Sequence, residues 1–352
     1  MYYKIIGNGC YIPPQKISNQ DFSQHEFYTE DGEVFPHSNE VIAQKFLEIT
    51  GIYERRYLPD EMQTSDIAYL AAKEAIENAG ISGEELDYII VAHNFGDVKK
   101  DTIQSDILPG LACRVKQKLG IQNPNCVAYD ILFGCPGWVE GLIQAKAFMQ
   151  AGMAKKCLVI GAEALSRVVD MHDRDSMIFS DGAGATVLAV TEEQGGFLAH
   201  QTATYAVEEA GYLFFGPSNK KEKGEKERYI KMHGRKIYEF ALSKVPAAMK
   251  ACWDKTGLPV GEISKILIHQ ANEKMDEAIV QRFYKLYQQK APENIMPMNI
   301  QTLGNSSVAT VPTLFYMILN GHLSPHELHP GDYVLFASVG AGMHINAVAY
   351  QL

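Results

Sequence analysis

Along the chain, short apolar runs alternate with segments whose apolar positions recur every three or four residues. Ala71 to Gly80 has the second pattern and ends in glycine; Gly83 and Glu84 follow, then the unbroken run Ile89 to Ala92. The same order returns in the second half, as Ala248 to Gly257, then Gly261 and Glu262, then Ile266 to Ile268. A glycine just past the last helical turn is the residue that takes left-handed backbone without a steric penalty. A short run apolar at successive positions reads as a strand buried on both faces, as in parallel sheets. Further on, Ser180 to Val190 and Ser338 to Val348 share the pattern S-x-G-A-G-x-x-x-x-A-V.

The chain therefore carries one unit twice: strand, helix, strand, helix, then paired strands around a glycine turn. The expected class is α/β, with two parallel sheets and helices around and between them. The halves are 1–195 and 196–352, meeting after the polar stretch Thr191 to Gly196. Residues 201–232 are polar and lack a clear period, and are expected to form a surface insertion or lid.

Composition narrows the function. At 352 residues the chain can bury one large core or two similar ones. Its formal charge of -10 speaks against a nucleic-acid partner, and glutamates break up the basic run Lys220 to Lys231, as in a solvated loop. Neither a signal peptide nor an apolar stretch of about 20 residues is found, so no membrane partner is expected and the cytoplasm is the expected location. The six cysteines, at 10, 113, 126, 135, 157 and 252, are scattered without a C-x-x-C pair. They are expected to be free thiols, with neither a metal nor a cofactor.

One of these thiols has a distinctive setting. Cys135 lies between Gly134 and the pair Pro136, Gly137, after a strand-like run and before a helical pattern from Val139 to Met149. A helix start offers free N–H groups and a partial positive charge, which favour a thiolate and lower its pKa. Proline suits the first helical position. The residues alone allow a nucleophile or a small buried thiol at a tight turn. Candidate partners are His269, at the end of the run Ile266 to Ile268 and followed by Gln270 to Asn272, and Asn305, in the turn Gly304 to Ser307 before a helical stretch Val311 to Leu319. Polar groups beyond the C-terminal end of a parallel strand are where α/β sites form, whereas core histidines and capping turns can share these patterns.

In this order and spacing, the landmarks Gly7 to Pro13, Thr50 to Arg56, Phe133 to Cys135, Ser180 to Gly184, Ile268 to Asn272 and Gly304 to Ser307 make the chain resemble β-ketoacyl-acyl-carrier-protein synthase III over nearly its whole length. The resemblance implies the thiolase fold, two duplicated α/β halves in an αβαβα arrangement. It implies a catalytic triad of Cys135, His269 and Asn305, oxyanion N–H groups at Cys135 and Ala341, and substrate contacts at Asn272, Gly234, Arg174 and Lys274. It also implies decarboxylative condensation of a Cys-bound acyl group with a malonyl-type thioester. The partners would be acyl-carrier protein or coenzyme A thioesters, and the chain a homodimer through 93–120 and 126–131.

Some positions depart from the family pattern. The early tryptophan beside the coenzyme is missing, with Val41 the nearest equivalent, and Lys274 replaces a frequent arginine. The stretch His93 to Asp101 is longer and more polar, pointing to a primer larger or more polar than acetyl. The last glycine turn lacks a cysteine, which speaks against a reversible thiolase. A hydroxymethylglutaryl-coenzyme A synthase would use a glutamate base near the first-half pocket, where Asp97 and Glu140 are the nearby acids and neither matches a motif. A head-to-head or secondary-metabolite condensing enzyme would carry the same triad, and a non-catalytic partner subunit would lack it.

Overall fold

The computed structural model describes residues 1–224 and 226–352. The first half runs β1 (Tyr2–Tyr11), β2 (Gln15–Ser18), α1 (Asn39–Thr50), β3 (Glu54–Tyr57), α2 (Thr64–Ala79), β4 (Tyr88–Ala92), α3 (Leu111–Leu119), β5 (Val127–Ile131), α4 (Gly137–Gln150), β6 (Lys156–Ala164) and β7 (Asp181–Thr191). The second runs β8 (Gly196–Thr204), β9 (Leu213–Gly216), β10 (Tyr229–Met232), α5 (Gly234–Asp254), β11 (Ile263–Ile268), α6 (Glu273–Lys285), α7 (Ile300–Leu303), α8 (Thr310–Leu319), β12 (Tyr333–Gly340) and β13 (His344–Gln351).

The repeat read in the sequence appears as matching topology. One sheet has the order β1-β7-β6-β4-β5, the other β8-β13-β12-β11. In both, the first two pairings are antiparallel and the next is parallel. The sheets are thus mixed, not parallel as the apolar runs suggested. Burial on both faces erases strand direction from the sequence, because parallel and antiparallel strands between two helical layers are equally apolar. A fifth position in the second sheet is taken by irregular chain, where Ile266 N donates to Ile295 O at 2.8 Å.

Alternation along the strands places the layers. Ile90 and Val159 face α4 and α8, while Ile89, Val91, Leu158 and Ile160 face α2 and α3. Leu267, Val334 and Phe336 turn to the same middle helices, while Ile266, Ile268 and Leu335 turn to α5 and α6. The result is the αβαβα stack. The middle layer is aromatic, with Phe336 meeting Trp138 at 5.6 Å and Phe315 at 5.2 Å between ring centroids, both edge-on.

The segment 201–232 is not a polar lid. Part of it is the β9–β10 hairpin, paired from Tyr229–Gly216 to Met232–Leu213. Its Phe215, Ile230 and Met232 pack against Leu165, Val168 and Phe179 of the first half. Alternation over strands of four residues is too short to stand out among the lysines and glutamates of the connecting loop.

Phe336 is wholly buried, so Phe336→Ala should cost about 3–5 kcal/mol of unfolding free energy in a denaturant titration. A loss below about 1 kcal/mol would contradict the packing of the middle layer.

Candidate active site

The two middle helices begin at turns that face each other across the halves. Before α4, Gly134 takes left-handed backbone (φ 64°), which brings Cys135 to the helix start. The strand opposite must leave room for it: a Cβ on Gly340 would stand 2.5 Å from the Cys135 backbone nitrogen. The turn before α8 sits on β6 in the same manner, since a Cβ on Gly161 would stand 2.3 Å from the Val308 carbonyl oxygen. Each half thus holds the other's turn, and no side chain can be interposed. Ala341 follows Gly340 and packs its backbone against Gly134.

His269 ends β11, its N–H donating to Ala337 O at 2.9 Å. It is buried, and its Nδ1 has no partner among the described residues. Gln270 anchors the strand end from behind, donating to Pro297 O (2.8 Å) and accepting from Asn299 N (3.0 Å) and Ile300 N (3.1 Å). Asn305 is clamped to the first half, with its N–H on Ile178 O and its carbonyl accepting from Ser180 N, both at 2.9 Å. Its Oδ1 accepts from Ser307 N at 2.8 Å, which leaves the Nδ2 hydrogens to be given elsewhere.

Cys135, His269, Asn305 and Ala341 line one cavity of about 870 Å³. Asn272, Gly234 and Arg174 line it too; Lys274 does not, and is exposed on α6. Asn272 caps α6, its Oδ1 accepting from Met275 N at 3.0 Å. The Arg174 guanidinium lies 4.7 Å over the ring of Phe35, itself a lining residue. Val41, the nearest equivalent of the missing tryptophan, is exposed on α1 and does not line the cavity; the aromatic ring beside Arg174 is that of Phe35, six residues earlier. The departure arises because the chain from Glu26 to Phe35 doubles back, with Phe35 N donating to Phe27 O at 2.8 Å.

Burial governs the ionisations. It pushes the Cys135 thiol up to about 11, with the Ser307 hydrogen bond pulling the other way and the Glu163 charge adding to the rise. The low thiol pKa expected from the helix start is thus outweighed by desolvation. Burial pushes His269 down to about 4, opposed by the Ser307 backbone. The histidine is therefore neutral at physiological pH, able to donate from one nitrogen.

Two of the acids that sequence reading offered as bases are committed elsewhere. Asp97 takes Ser65 N, Ser65 Oγ and Arg114, and Glu140 takes Asn346. The acid beside the thiol is Glu163, fully buried at the end of β6 and linked to Asn94. Its signal was available: an acid inside the apolar run Cys157 to Leu165 needs a partner or a task.

A half-buried thiol at a helix start, sharing a cavity with a neutral histidine and an amide with free N–H groups, has the chemistry suited to acyl transfer through a thioester and to holding negative charge on oxygen. Set between duplicated αβαβα halves, it defines a condensing enzyme of the thiolase fold. The comparisons narrow this. The family model described as 3-oxoacyl-[acyl-carrier-protein] synthase III matches residues 129–206, and its C-terminal counterpart matches residues 253–352. A β-ketoacyl-[acyl-carrier-protein] synthase III of Clostridium beijerinckii is 35% identical over 345 residues, covering 97% of this chain and 96% of the relative. One from Halalkalibacterium halodurans is 32% identical over 349 residues, covering 99% and 97%. The crystal structure of the Aquifex aeolicus synthase III superposes with a TM-score of 0.81 at 30% identity, covering 99% of this chain and 100% of that one. The chain belongs to the β-ketoacyl-acyl-carrier-protein synthase III family, and it is an acyltransferase.

His269 sets a pH dependence of definite sign. Its proton affinity in the folded chain is depressed from 6.5 to about 4, so folding is most favoured above 6.5 and loses up to about 3 kcal/mol as pH falls toward 4. In denaturant unfolding, His269→Gln should flatten that part of the stability curve; an unchanged slope would mean that the imidazole is not desolvated.

Proposed function

We propose that Cys135, His269 and Asn305 form the catalytic triad of a decarboxylative condensation. The observation that carries this reading is the convergence of one half-buried thiol and two fixed hydrogen-bond donors on a single cavity, from turns of both halves. The Cys135 thiolate attacks the carbonyl carbon of an acyl thioester, and the N–H groups of Cys135 and Ala341 hold the oxyanion. The carrier thiol leaves and the acyl group stays on sulfur. A malonyl-type thioester then offers its carbonyl oxygen to His269 and Asn305. As the carbon–carbon bond to the carboxylate breaks and carbon dioxide departs, its electrons form an enolate held by the two donors. The enolate carbon attacks the Cys135 thioester, the carbon–sulfur bond breaks, and a β-ketoacyl thioester leaves with the thiolate restored.

A neutral His269 suits this step, since its hydrogen bond strengthens as charge grows on the enolate oxygen. Asn272, Gly234 and Arg174 would contact the phosphopantetheine arm or its nucleotide end, with Lys274 at most reaching the bound carrier from outside. The lining beyond Cys135 includes Phe95, Leu165, Phe179, Phe215 and Ile230, which favours an apolar acyl primer carried by coenzyme A or acyl-carrier protein. Asn94 is the polar residue in that wall, and its amide is already spent on Glu163 and Ser307. The halves 1–195 and 196–352 would each supply part of the site, the first the nucleophile and the second the donors. The setting is the cytoplasm.

A homodimer also belongs to this reading. Among the described residues the edge strand β5 has no neighbour on its outer side, and Val127, Leu132, Ile107 and Leu108 are exposed, Leu108 to 88%. Asp130 on β5 accepts from Leu111 N and Ala112 N at 2.7 Å each, holding that loop beside the edge. A free edge flanked by apolar side chains is stable when a second copy covers it.

Three substitutions test the division of labour. Cys135→Ala should abolish covalent acyl loading. His269→Ala and Asn305→Ala should keep loading and slow condensation by about a hundred-fold or more; loss of loading alone would contradict the roles. In sedimentation, the protein should run at twice its 39.1 kDa chain mass and Leu108→Asp should shift it toward monomer. A stable wild-type monomer at micromolar concentration would remove the dimer.

A further inference from the structure

Glu163 takes no part in the steps above, yet it is joined to the nucleophile by consecutive hydrogen bonds. Its Oε2 accepts from Asn94 N at 2.9 Å and from Asn94 Nδ2 at 2.5 Å. Asn94 Nδ2 also reaches Ser307 Oγ at 3.2 Å, and Ser307 Oγ reaches Cys135 Sγ at 3.3 Å. Glu163 and Ser307 are buried, and Asn94 lines the cavity.

The donor count gives this chain a direction. An ionised carboxylate only accepts, so Asn94 must turn its NH₂ toward Glu163. One Nδ2 hydrogen goes to Glu163 and the other to Ser307. With its oxygen accepting from Asn94, the Ser307 hydroxyl has one hydrogen left, and it points at the sulfur. Without an acceptor at 163, the amide is free to present Oδ1 to Ser307, and the hydroxyl hydrogen then turns away from Cys135. We propose that Glu163, acting through Asn94, fixes the direction of the hydrogen bond from Ser307 to Cys135 and so is a positioning residue for the thiolate. This rests on the reading of Cys135 as nucleophile.

Two effects of Glu163 on the thiol compete. Its negative charge disfavours a thiolate, whereas the hydrogen bond it orients favours one. The Ser307 bond outweighs the Glu163 charge at Cys135, so the net effect is in favour of the thiolate. Burial pushes the Glu163 carboxyl up to about 7, opposed by His93 and by the Asn94 and Phe95 bonds; above that pH it is the acceptor the chain requires.

The titratable neighbours leave the direction unchanged. His93, at the end of β4, has Nε2 3.0 Å from Asp130 Oδ2 and accepts from Gly96 N on Nδ1 at 2.9 Å. Asp181, on the adjacent strand β7, accepts from Leu58 N, Ser166 N and Ser166 Oγ. His269 faces Ser307 from the second half and is neutral. Both Asn94 bonds fall on Oε2, so the side-chain amide that reaches Ser307 is held by the same carboxylate oxygen as its own backbone N–H.

The test is the rate of iodoacetamide alkylation near pH 8.5, with the labelled peptide identified by mass spectrometry and folding checked by circular dichroism. One pKa unit is tenfold in thiolate fraction below the pKa, so Glu163→Ala should slow labelling of Cys135 about tenfold. Asn94→Ala should do the same and carries the test if Glu163→Ala does not fold. Ser307→Ala should slow it at least as much, and Glu163→Ala added to Ser307→Ala should slow it no further. Glu163→Gln keeps an acceptor oxygen for Asn94 and should stay within about twofold of wild type. Faster labelling in Glu163→Ala would mean that only its charge is felt, and an equal slowing in the Ser307→Ala background would mean general loss of packing; either overturns the proposal. A wild-type protein unlabelled at Cys135 would instead remove the nucleophile reading and the proposal with it.

Discussion

The site depends on two backbone contacts between the halves. Cys135 can stand at the start of α4 only because Gly340, on the central strand of the other sheet, leaves the space a Cβ would fill 2.5 Å from its nitrogen. Val308, beside the Asn305 turn, rests on Gly161 in the same way. Packed interiors resist displacement by even a methyl group, so these contacts, with the Asn305 hydrogen bonds to Ile178 and Ser180, hold Cys135 and Asn305 in fixed relation. The aromatic middle layer of Trp138, Phe315 and Phe336 lies directly behind both turns and keeps them from separating.

The same closeness sets the electrostatics. Desolvation by the surrounding protein raises the thiol to about 11 and lowers the histidine to about 4, so both are neutral near pH 7. With both groups neutral, negative charge on an oxygen bound in the cavity would be met by hydrogen-bond donors and not by a cation. Donors already in place need no reorganisation when that charge appears, which is the usual source of catalysis by fixed dipoles. Asn305 shows how the fold arranges this, since the Ser307 amide holds its oxygen and so orients the NH₂ group away from that turn.

Much of this was legible in the chain. The duplicated pattern around Ser180 and Ser338 marks the same paired strands in both halves, and the glycines and proline around Cys135 mark the helix start. Strand direction was not legible, because both faces of every central strand are buried. The position of Phe35 beside Arg174 was not legible, because it depends on a folded-back loop with no periodic signature. Glu163 was overlooked although a lone acid in a buried strand was visible; attention went to Asp97 and Glu140, whose partners Ser65, Arg114 and Asn346 lie far away in sequence. Long-range partners decide whether an acid is structural or functional, and sequence order does not carry them.

The central claim is that acyl transfer passes through Cys135 and is completed by loss of carbon dioxide from the second substrate. Intact-protein mass spectrometry after incubation with acyl-coenzyme A and acyl-carrier thioesters, followed by a malonyl-carrier thioester, tests it directly. A mass gain localised to Cys135, discharged together with carbon dioxide release, is the expected result. Loading that discharges without carbon dioxide, or no loading by any of the thioesters, would contradict it.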